Sequence, residues 1–240
     1  MSALGRRHAG DNSTEQRTDT RELLLQCARK LFAEKGFEGA TVKDVAEAAG
    51  VNVSLVSYYF GGKDGLYRDC ISDFGRDRLA SMERFLTRPE SAEDIRVRMT
   101  LLIEEVLETH AAEPHCAKIL HREFDSNAEH IQDLFQTVFI KMYSTMVEFF
   151  THAQTAGLLH GDFDPRIAVG MFFGGLIQTI RMDGIAREQF GRTIADPQYR
   201  AEVARNTATV FLQGMLSAPA RNPEIQKAAQ ESRTRKEKHS

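Results

Sequence analysis

The sequence has little cysteine and almost no surplus charge, and each shortage excludes a class of protein. Cys27, Cys70 and Cys116 are far apart and form no Cys-x-x-Cys pair. This argues against a disulfide framework and against a cysteine zinc site, and it indicates a reducing compartment such as the cytoplasm. The 31 Lys and Arg residues nearly balance 34 Asp and Glu, with a net charge of −3. The chain is therefore not a basic polyelectrolyte that coats nucleic acid.

Long apolar runs and the motifs of common enzymes are also missing. The first 16 residues are polar and lack the apolar segment of a secretory signal. The longest uncharged apolar stretch, 167–180, is shorter than the roughly 18 residues that a membrane-spanning helix needs, so we expect no membrane partner. No Gly-x-Ser-x-Gly, Gly-x-Gly-x-x-Gly or His-Glu-x-x-His pattern occurs. We therefore expect neither an enzyme nor a cofactor.

Helical periodicity runs through the chain and predicts an all-α fold. Apolar residues recur at helical spacing from about Asp19, and Gly36 ends this first helix. Two short helices follow, one capped by Thr41 in a capping box with Asp44 and one capped by Asn52. Further helices are predicted at 63–86, 92–110, 114–126, 129–156, 165–186 and 197–217.

The two short helices, joined by a glycine-containing turn, have the outline of a helix-turn-helix. Val56 and Phe60 are predicted to face the core, which leaves an opposite face of Val53, Ser54, Ser57 and Tyr58. No charged residue stands between Glu47 and Lys63, as expected of a helix that enters the major groove beside phosphates. The first 70 residues hold ten basic and ten acidic residues, so the whole acidic surplus lies in the remaining 21 basic and 24 acidic residues.

The segment from Thr41 to Tyr67, TVKDVAEAAGVNVSLVSYYFGGKDGLY, resembles the N-terminal domain of TetR-family transcriptional regulators. With the preceding LFAEKGF, the resemblance covers residues 20–70. It implies DNA contacts at Thr41, Lys43, Asn52, Val53, Ser54, Leu55, Ser57, Tyr58, Tyr59 and Lys63. Residues 53–55 depart from the Lys-Gly-Thr of many members, and a Ser reads bases with little selectivity, so the operator cannot be carried over. Asn52, Val53 and residues 60–66 are most similar to the CecR-like branch of the family.

The resemblance also implies a homodimer with a DNA-binding domain and a larger helical domain in each subunit, and polar composition marks the two ends of the chain as an arm and a tail. Residues 1–18 would be a flexible arm, 19–66 the helix-turn-helix domain, 67–217 a helical effector-binding and dimerisation domain, and 218–240 a disordered tail. The nearly all-apolar helix at 167–180 would form a dimer interface with the last helix. The residues predicted for this interface are Gly170, Gly174, Ile177, Val203, Val210 and Phe211. A central helix of a monomer is the alternative.

Methionine and phenylalanine side chains suit an adaptable apolar pocket for a small-molecule effector. The candidates are Met142, Met146, Phe149, Phe150, Met171, Phe172 and Phe173, although for any one of them a plain core position is the better interpretation. A second cluster contains metal-binding residue types, namely His115, Cys116, His121, Glu123 and Asp125. It has no familiar zinc spacing, so no metal site is predicted.

The sequence thus predicts a cytoplasmic, dimeric regulator of transcription that binds a double-stranded DNA operator. We expect a repressor that a small-molecule effector releases from DNA, by shifting the population of its conformations. The alternative is a helical small-molecule-binding protein whose helix-turn-helix no longer binds DNA. Substituting Ser57 and Tyr58 together distinguishes the two.

Overall fold

The computed structural model describes residues 11–126 and 129–215, with side chains from residue 19 on. Every regular element in this part of the chain is helical, which confirms the all-α fold. The helices are α1 (Asp11–Gly39), α2 (Val42–Ala48), α3 (Ser54–Phe60), α4 (Lys63–Phe85), α5 (Ala92–Ala112), α6 (Pro114–Asp125), α7 (Gln132–Leu134), α8 (Ile140–Thr155), α9 (Pro165–Arg181), α10 (Asp183–Phe190) and α11 (Pro197–Gln213). A π-helical segment, Phe135–Phe139, joins α7 to α8. Within the described residues, no helix combines the length and the apolar character needed to cross a bilayer.

The helix boundaries depart from the predicted ones at four places. The predicted helix at 129–156 begins only at Gln132 and contains the π-helical segment Phe135–Phe139. Helix α1 begins at Asp11, so the second half of the predicted arm is helical, because Glu15, Gln16 and Arg17 are good helix formers. The predicted helix at 165–186 is two helices, which Met182 separates. Helix α11 ends four residues before the predicted end, at Gln213. The first ten residues of the predicted arm and the predicted tail lie outside the described residues.

Helix α1 loses its helical geometry at Gly36, as predicted. The backbone there has φ 78° and ψ 177°, a conformation that glycine adopts without the steric cost of a Cβ. The bend carries Phe37 back against other aromatic rings. Its ring centroid lies 5.0 Å from that of Tyr67 and 4.0 Å from that of His130.

The chain divides into two compact units, and the first holds the predicted helix-turn-helix. This unit comprises the described residues up to Asp77 together with Glu113–Val138. It therefore extends beyond the predicted 19–66 segment and includes α6. Two contacts explain why α6 belongs here. The Arg122 guanidinium donates to the carbonyl oxygens of Phe32 and Ala33 at 2.8 and 3.2 Å, and the Tyr67 hydroxyl donates to a Glu123 carboxylate oxygen at 2.6 Å.

The second unit comprises Arg78–Ala112 and the described residues from Phe139 on. Its core is one cluster of buried side chains from the C-terminal part of α4 and from α5, α8, α9 and α11. Among its most buried members are Ile95, Met99, Ile103, Met146, Phe149, Phe150, Val169, Ala204 and Leu212. Burial of large apolar side chains at this density stabilises each packed helix by about 1.5–3 kcal/mol per side chain.

Candidate nucleic-acid interface

The start of α2 is fixed by the predicted capping box. The Thr41 Oγ1 accepts from the Asp44 backbone N–H at 3.1 Å, and the Asp44 Oδ2 accepts from the Thr41 N–H at 3.2 Å. That backbone hydrogen bond is the main reason that the pKa of Asp44 lies below its ordinary value, and Lys35 lowers it further. The Thr41 hydroxyl thus accepts a hydrogen bond from within the protein, while Lys43, two residues later, is exposed.

The start of α3 is fixed by Asn52, the predicted cap residue. Its Oδ1 accepts from the backbone N–H of Ser54 at 2.9 Å and also from the Ser54 hydroxyl at 2.7 Å. Regular helix begins at Ser54, two residues later. The side chain of Asn52 therefore satisfies a backbone donor that the first turn leaves without an intrahelical partner.

Helix α3 has one buried and one exposed face, as the spacing predicted. Val56 is fully buried and Phe60 is 8% exposed. On the other side, Val53 and Tyr58 are 45% and 65% exposed, and Ser54 and Ser57 are exposed as well. Leu55 and Tyr59 lie between the two faces and are half-buried. The exposed face is uncharged and rich in hydroxyl groups, so it offers hydrogen bonds without a carboxylate near phosphate.

The ring of Tyr58 is held by its neighbour in the helix. It meets the Tyr59 ring edge-on, with centroids 4.9 Å apart and an interplanar angle of 77°. Such edge-to-face pairs are favourable by about 0.5–1.5 kcal/mol beyond their buried area. The exposed Tyr58 hydroxyl is therefore presented from an oriented ring.

Lys63 lies at the junction of α3 and α4, three residues after the end of α3. A Cβ at Gly65 would lie 1.8 Å from the Phe60 carbonyl oxygen, so the two helices approach more closely than any other residue allows. Lys63 opens α4, and its Nζ lies 4.3 Å from the centroid of the Phe37 ring. The cation–π contact holds the ammonium group at the end of α4 where the backbone N–H groups favour an anion.

A further set of contacts supports α3 from α1 and α4. Arg21 pairs with Asp69 at 2.7 Å, and its guanidinium carbon lies 5.2 Å from the centroid of the Phe60 ring. Arg29 donates from Nε to the Cys70 carbonyl oxygen at 3.1 Å. The helix that carries the predicted DNA contacts is thus braced by charged side chains whose roles the sequence analysis did not consider.

The structural role of Glu123, which is only 2% exposed, was not predicted from the sequence. Its two carboxylate oxygens accept from the Tyr67 hydroxyl and from the backbone N–H of His130. Burial and this hydrogen bond raise the pKa of Tyr67. A signal was present, because Glu123 falls on the apolar stripe of α6 at helical spacing from Cys116 and Leu120. An acid on such a stripe requires a buried partner.

The five metal-binding residue types noted around Glu123 do not converge. His115 is exposed and Cys116 is buried, and the Cys116 thiol lies within hydrogen-bonding distance of the Cys70 carbonyl oxygen. Over residues 11–126 and 129–215, no three His, Cys, Asp or Glu side chains are grouped as a metal ion would need.

The residues predicted for the effector pocket lie at different depths in the second unit. Met146, Phe149, Phe150 and Phe172 are buried in the core, Met142 and Phe173 pack at its edge, and Met171 is 70% exposed. Phe172 and Phe150 both pack against Phe211, with ring centroids 5.2 and 6.0 Å apart. Met171 thus faces away from the cluster that the other six form.

Two open grooves of the second unit are lined by other residues. One has a volume of about 240 Å³ and is lined by Gln178, Thr179, Met182, Asp183, Ala186, Ile194, Tyr199 and Val203. The other has a volume of about 330 Å³ and is lined by Glu93, Arg96, Val97, Thr100, Leu101, Arg205, Ala208 and Thr209. Neither groove includes a residue predicted for the effector pocket.

The residues predicted for a dimer interface are mostly accessible. Gly170 and Gly174 are exposed on α9, and Val210 is 75% exposed on α11. Ile177, Val203 and Phe211 are half-buried. Exposed Ile167 and Met171 share the side of α9 that carries the two glycines, at a spacing of three or four residues. An exposed apolar face of this kind is typical of an interaction surface.

Comparison with known proteins identifies the helix-turn-helix. Residues 24–70, which include α2, α3 and the start of α4, match the family described as "Bacterial regulatory proteins, tetR family". This segment of the chain is therefore similar to the DNA-binding domain of TetR-family regulators. The CecR-like branch that the sequence suggested is not confirmed by these comparisons.

Two curated regulators are similar to parts of this chain. The probable HTH-type transcriptional regulator YttP of Bacillus subtilis is 26% identical over 125 residues, which are 52% of this chain and 60% of YttP. The HTH-type transcriptional repressor AcnR of Corynebacterium glutamicum is 41% identical over 59 residues, 25% of this chain and 29% of AcnR. The chain thus spans less than two thirds of the length of either relative.

A solved structure extends the likeness of fold to both units. The transcriptional regulator FadR from Bacillus subtilis, solved in complex with stearoyl-CoA, superposes with a TM-score of 0.63 at 16% identity. The match covers 80% of this chain and 98% of FadR. At this identity the likeness shows the fold alone.

Proposed function

We propose that this chain is a TetR-family, DNA-binding regulator of transcription rather than an enzyme. The observation that carries the proposal is the exposed, uncharged face of α3, which Lys43 and Lys63 flank in the sequence. The operator is double-stranded DNA, and the proposed contact residues are those named from the resemblance. Because the proposed operator is chromosomal DNA, the location that we propose is the cytoplasm.

The distribution of charge supports a specific rather than a general DNA contact. Lys43 and Lys63 supply phosphate contacts at the edges, while Ser54, Ser57 and Tyr58 supply hydrogen bonds to base edges. The first 70 residues are neutral in sum, so bulk attraction to DNA is weak. Affinity then depends on a correctly shaped operator.

We further propose a homodimer that works as a repressor and is released by a small-molecule effector. The exposed apolar side of α9 and Val210 of α11 support the dimer. AcnR is named a repressor, and the FadR structure contains stearoyl-CoA, which supports a largely apolar effector. Such a ligand would have to part the buried Met146, Phe149 and Phe172. Parting these side chains would alter the second unit and shift the dimer away from the roughly 34 Å half-site spacing.

Genome-wide mapping of binding sites with the full chain tests the DNA-binding proposal. The wild type is expected to enrich discrete promoter sites, and a Ser57→Ala/Tyr58→Ala double variant to lose them. Lys141→Ala, an exposed lysine on α8, is the control and should keep them. A wild-type chain that enriches no discrete sites would instead favour the alternative, a helical small-molecule-binding protein whose helix-turn-helix no longer binds DNA, and sites that the double variant retains in full would contradict recognition through Ser57 and Tyr58.

The effector proposal is tested on a promoter fragment recovered in that experiment. Stearoyl-CoA and a panel of hydrophobic compounds are added to the protein–DNA complex and to the protein alone. We expect at least one compound to raise the melting temperature of the protein and to weaken the gel shift. No stabilisation and no release across a diverse panel would count against an apolar effector.

A further inference from the structure

The hydrogen bonds of Ser54 determine which way its hydroxyl points. The Asn52 side chain meets both the backbone N–H and the hydroxyl of Ser54, at 2.9 and 2.7 Å. Because a backbone N–H only donates, the Asn52 atom that it meets is the carbonyl oxygen and not the amide nitrogen. That oxygen carries no hydrogen. The Ser54 hydroxyl is therefore the donor in the second hydrogen bond.

The Ser54 hydroxyl oxygen can therefore act toward a further partner only as a hydrogen-bond acceptor. A serine hydroxyl normally rotates and reads a donor or an acceptor on a base equally well. Here its proton is committed to Asn52. Ser54 is exposed, and its chain neighbours Val53 and Leu55 are apolar, so neither adjacent side chain supplies a competing donor.

We infer that Asn52 makes Ser54 an acceptor that selects an amino base over a keto base in the major groove. The amino bases present a donor there, adenine through N6 and cytosine through N4, whereas guanine O6 and thymine O4 are acceptors. Ser54 is thus a specificity-determining residue, and Asn52 is its positioning residue. The inference rests on the proposed DNA-binding function and adds to it the base class read at one position.

Ser57 provides a matched comparison on the same face of α3. Its hydroxyl is exposed, and within the described part of the chain no side-chain acceptor orients it as Asn52 orients Ser54. Ser57 keeps the freedom to donate or to accept. It should therefore discriminate poorly between amino and keto bases.

Selection from a randomised duplex library by the full chain, followed by binding to duplexes with all four bases at each selected position, tests the inference. At one position the wild type should prefer adenine or cytosine on the contacted strand by about three- to tenfold, the worth of one net hydrogen bond. Ser54→Ala should reduce that preference to less than about twofold. Ser57→Ala should lower the affinity for all four duplexes alike and leave the preference at this position intact.

Two substitutions of Asn52 separate the orienting role from the capping role. Asn52→Asp keeps an acceptor for both Ser54 donors, so the preference should persist, while the added negative charge weakens binding to all four duplexes alike. Asn52→Ala frees the hydroxyl, and the preference should collapse. Asn52→Ala also removes the cap, so melting curves and the affinity for the best duplex are recorded with it.

The possible outcomes test the inference about Ser54 separately from the proposed DNA-binding function. A keto preference at the Ser54 position overturns the inference, as does an amino preference that survives both Ser54→Ala and Asn52→Ala. If the wild type enriches no sequence at all, the proposed function fails, and the inference fails with it. Enrichment of a sequence at which Ser54→Ala changes nothing overturns the inference alone.

Discussion

At the scale of single residues, Gly65 shows how one missing atom shapes the candidate interface. Any Cβ there would lie 1.8 Å from the Phe60 carbonyl oxygen, a distance that forces the α3–α4 junction apart. Gly65→Ala is expected to destabilise the protein by about 1–3 kcal/mol, the usual cost of overpacking, and to weaken DNA binding because Lys63 moves. Denaturant unfolding and a gel shift measure the two effects.

Gly184 of α10 is the control for this substitution. A Cβ at Gly184 meets no heavy atom within 4 Å, and an alanine favours helix over glycine. Gly184→Ala should leave stability unchanged or slightly raised. Equal stability of both variants would show that the close approach of α3 and α4 has no energetic consequence.

His110 is a second informative residue, because burial lowers its pKa below the ordinary value, and Arg78 lowers it further. As the pH falls below about 6.5, His110 becomes protonated in the unfolded chain but stays neutral in the folded chain. The free energy of unfolding therefore falls. Above that pH both states are neutral and the effect vanishes. Urea unfolding at pH 7.5 and 5.5 should therefore show a smaller pH dependence for His110→Gln than for the wild type.

His152, an exposed histidine of α8, gives the matched control. His152→Gln should keep the pH dependence of the wild type. An unaltered dependence in His110→Gln would mean that this buried ring carries no proton linkage to folding.

At the scale of elements, α6 completes the first unit although α5, a helix of the second unit, lies between α4 and α6 in the sequence. Its Arg122 donates to two carbonyl oxygens at the end of regular α1, where a cation also complements the helix dipole. Arg122→Ala should lower the free energy of unfolding by about 1–3 kcal/mol. Lys118→Ala, an exposed change on the same helix, should have almost no effect, and an equal loss in both variants would contradict the capping role.

The elements also show which features a sequence can predict. The capping box at Thr41 and the cap at Asn52 were predictable, because each involves residues within three positions of one another. The buried face of α3 followed from the spacing of Val56 and Phe60. The attachment of α6 was not predictable, because Arg122 meets Phe32 across 90 positions and no local pattern records that contact.

The same limit applies to helix ends and to the predicted pocket. The break at Met182 interrupts a continuous periodic pattern, and the cap that ends α10 at Gly191 depends on its left-handed conformation. Phe149 and Phe172 fit both a core and a pocket by residue type. Their burial places them in the core and leaves their proposed part in effector binding to experiment.

At the scale of the whole molecule, the exposed apolar side of α9 and α11 predicts assembly. Met171 and Val210 are 70% and 75% exposed, and burying such side chains against a second copy is favourable. Val210→Glu should convert a dimer to single chains in analytical ultracentrifugation, because a carboxylate is costly in an apolar interface. Ile140→Glu, a similar change at a 40% exposed position on α8, should leave the mass unchanged. A wild-type chain that sediments as a monomer would contradict the proposed dimer.

The small net charge of the whole chain bears most directly on the central claim, that α3 reads DNA with few ionic contacts. The decisive measurement is the affinity of the full chain for a recovered operator as a function of salt. With Lys43 and Lys63 in each of two subunits, the slope of log affinity against log salt should be about −4, and Lys43→Ala should reduce it by about 2. Ser57→Ala/Tyr58→Ala should lower the affinity without changing the slope. An affinity that neither salt nor these substitutions alter would contradict the account.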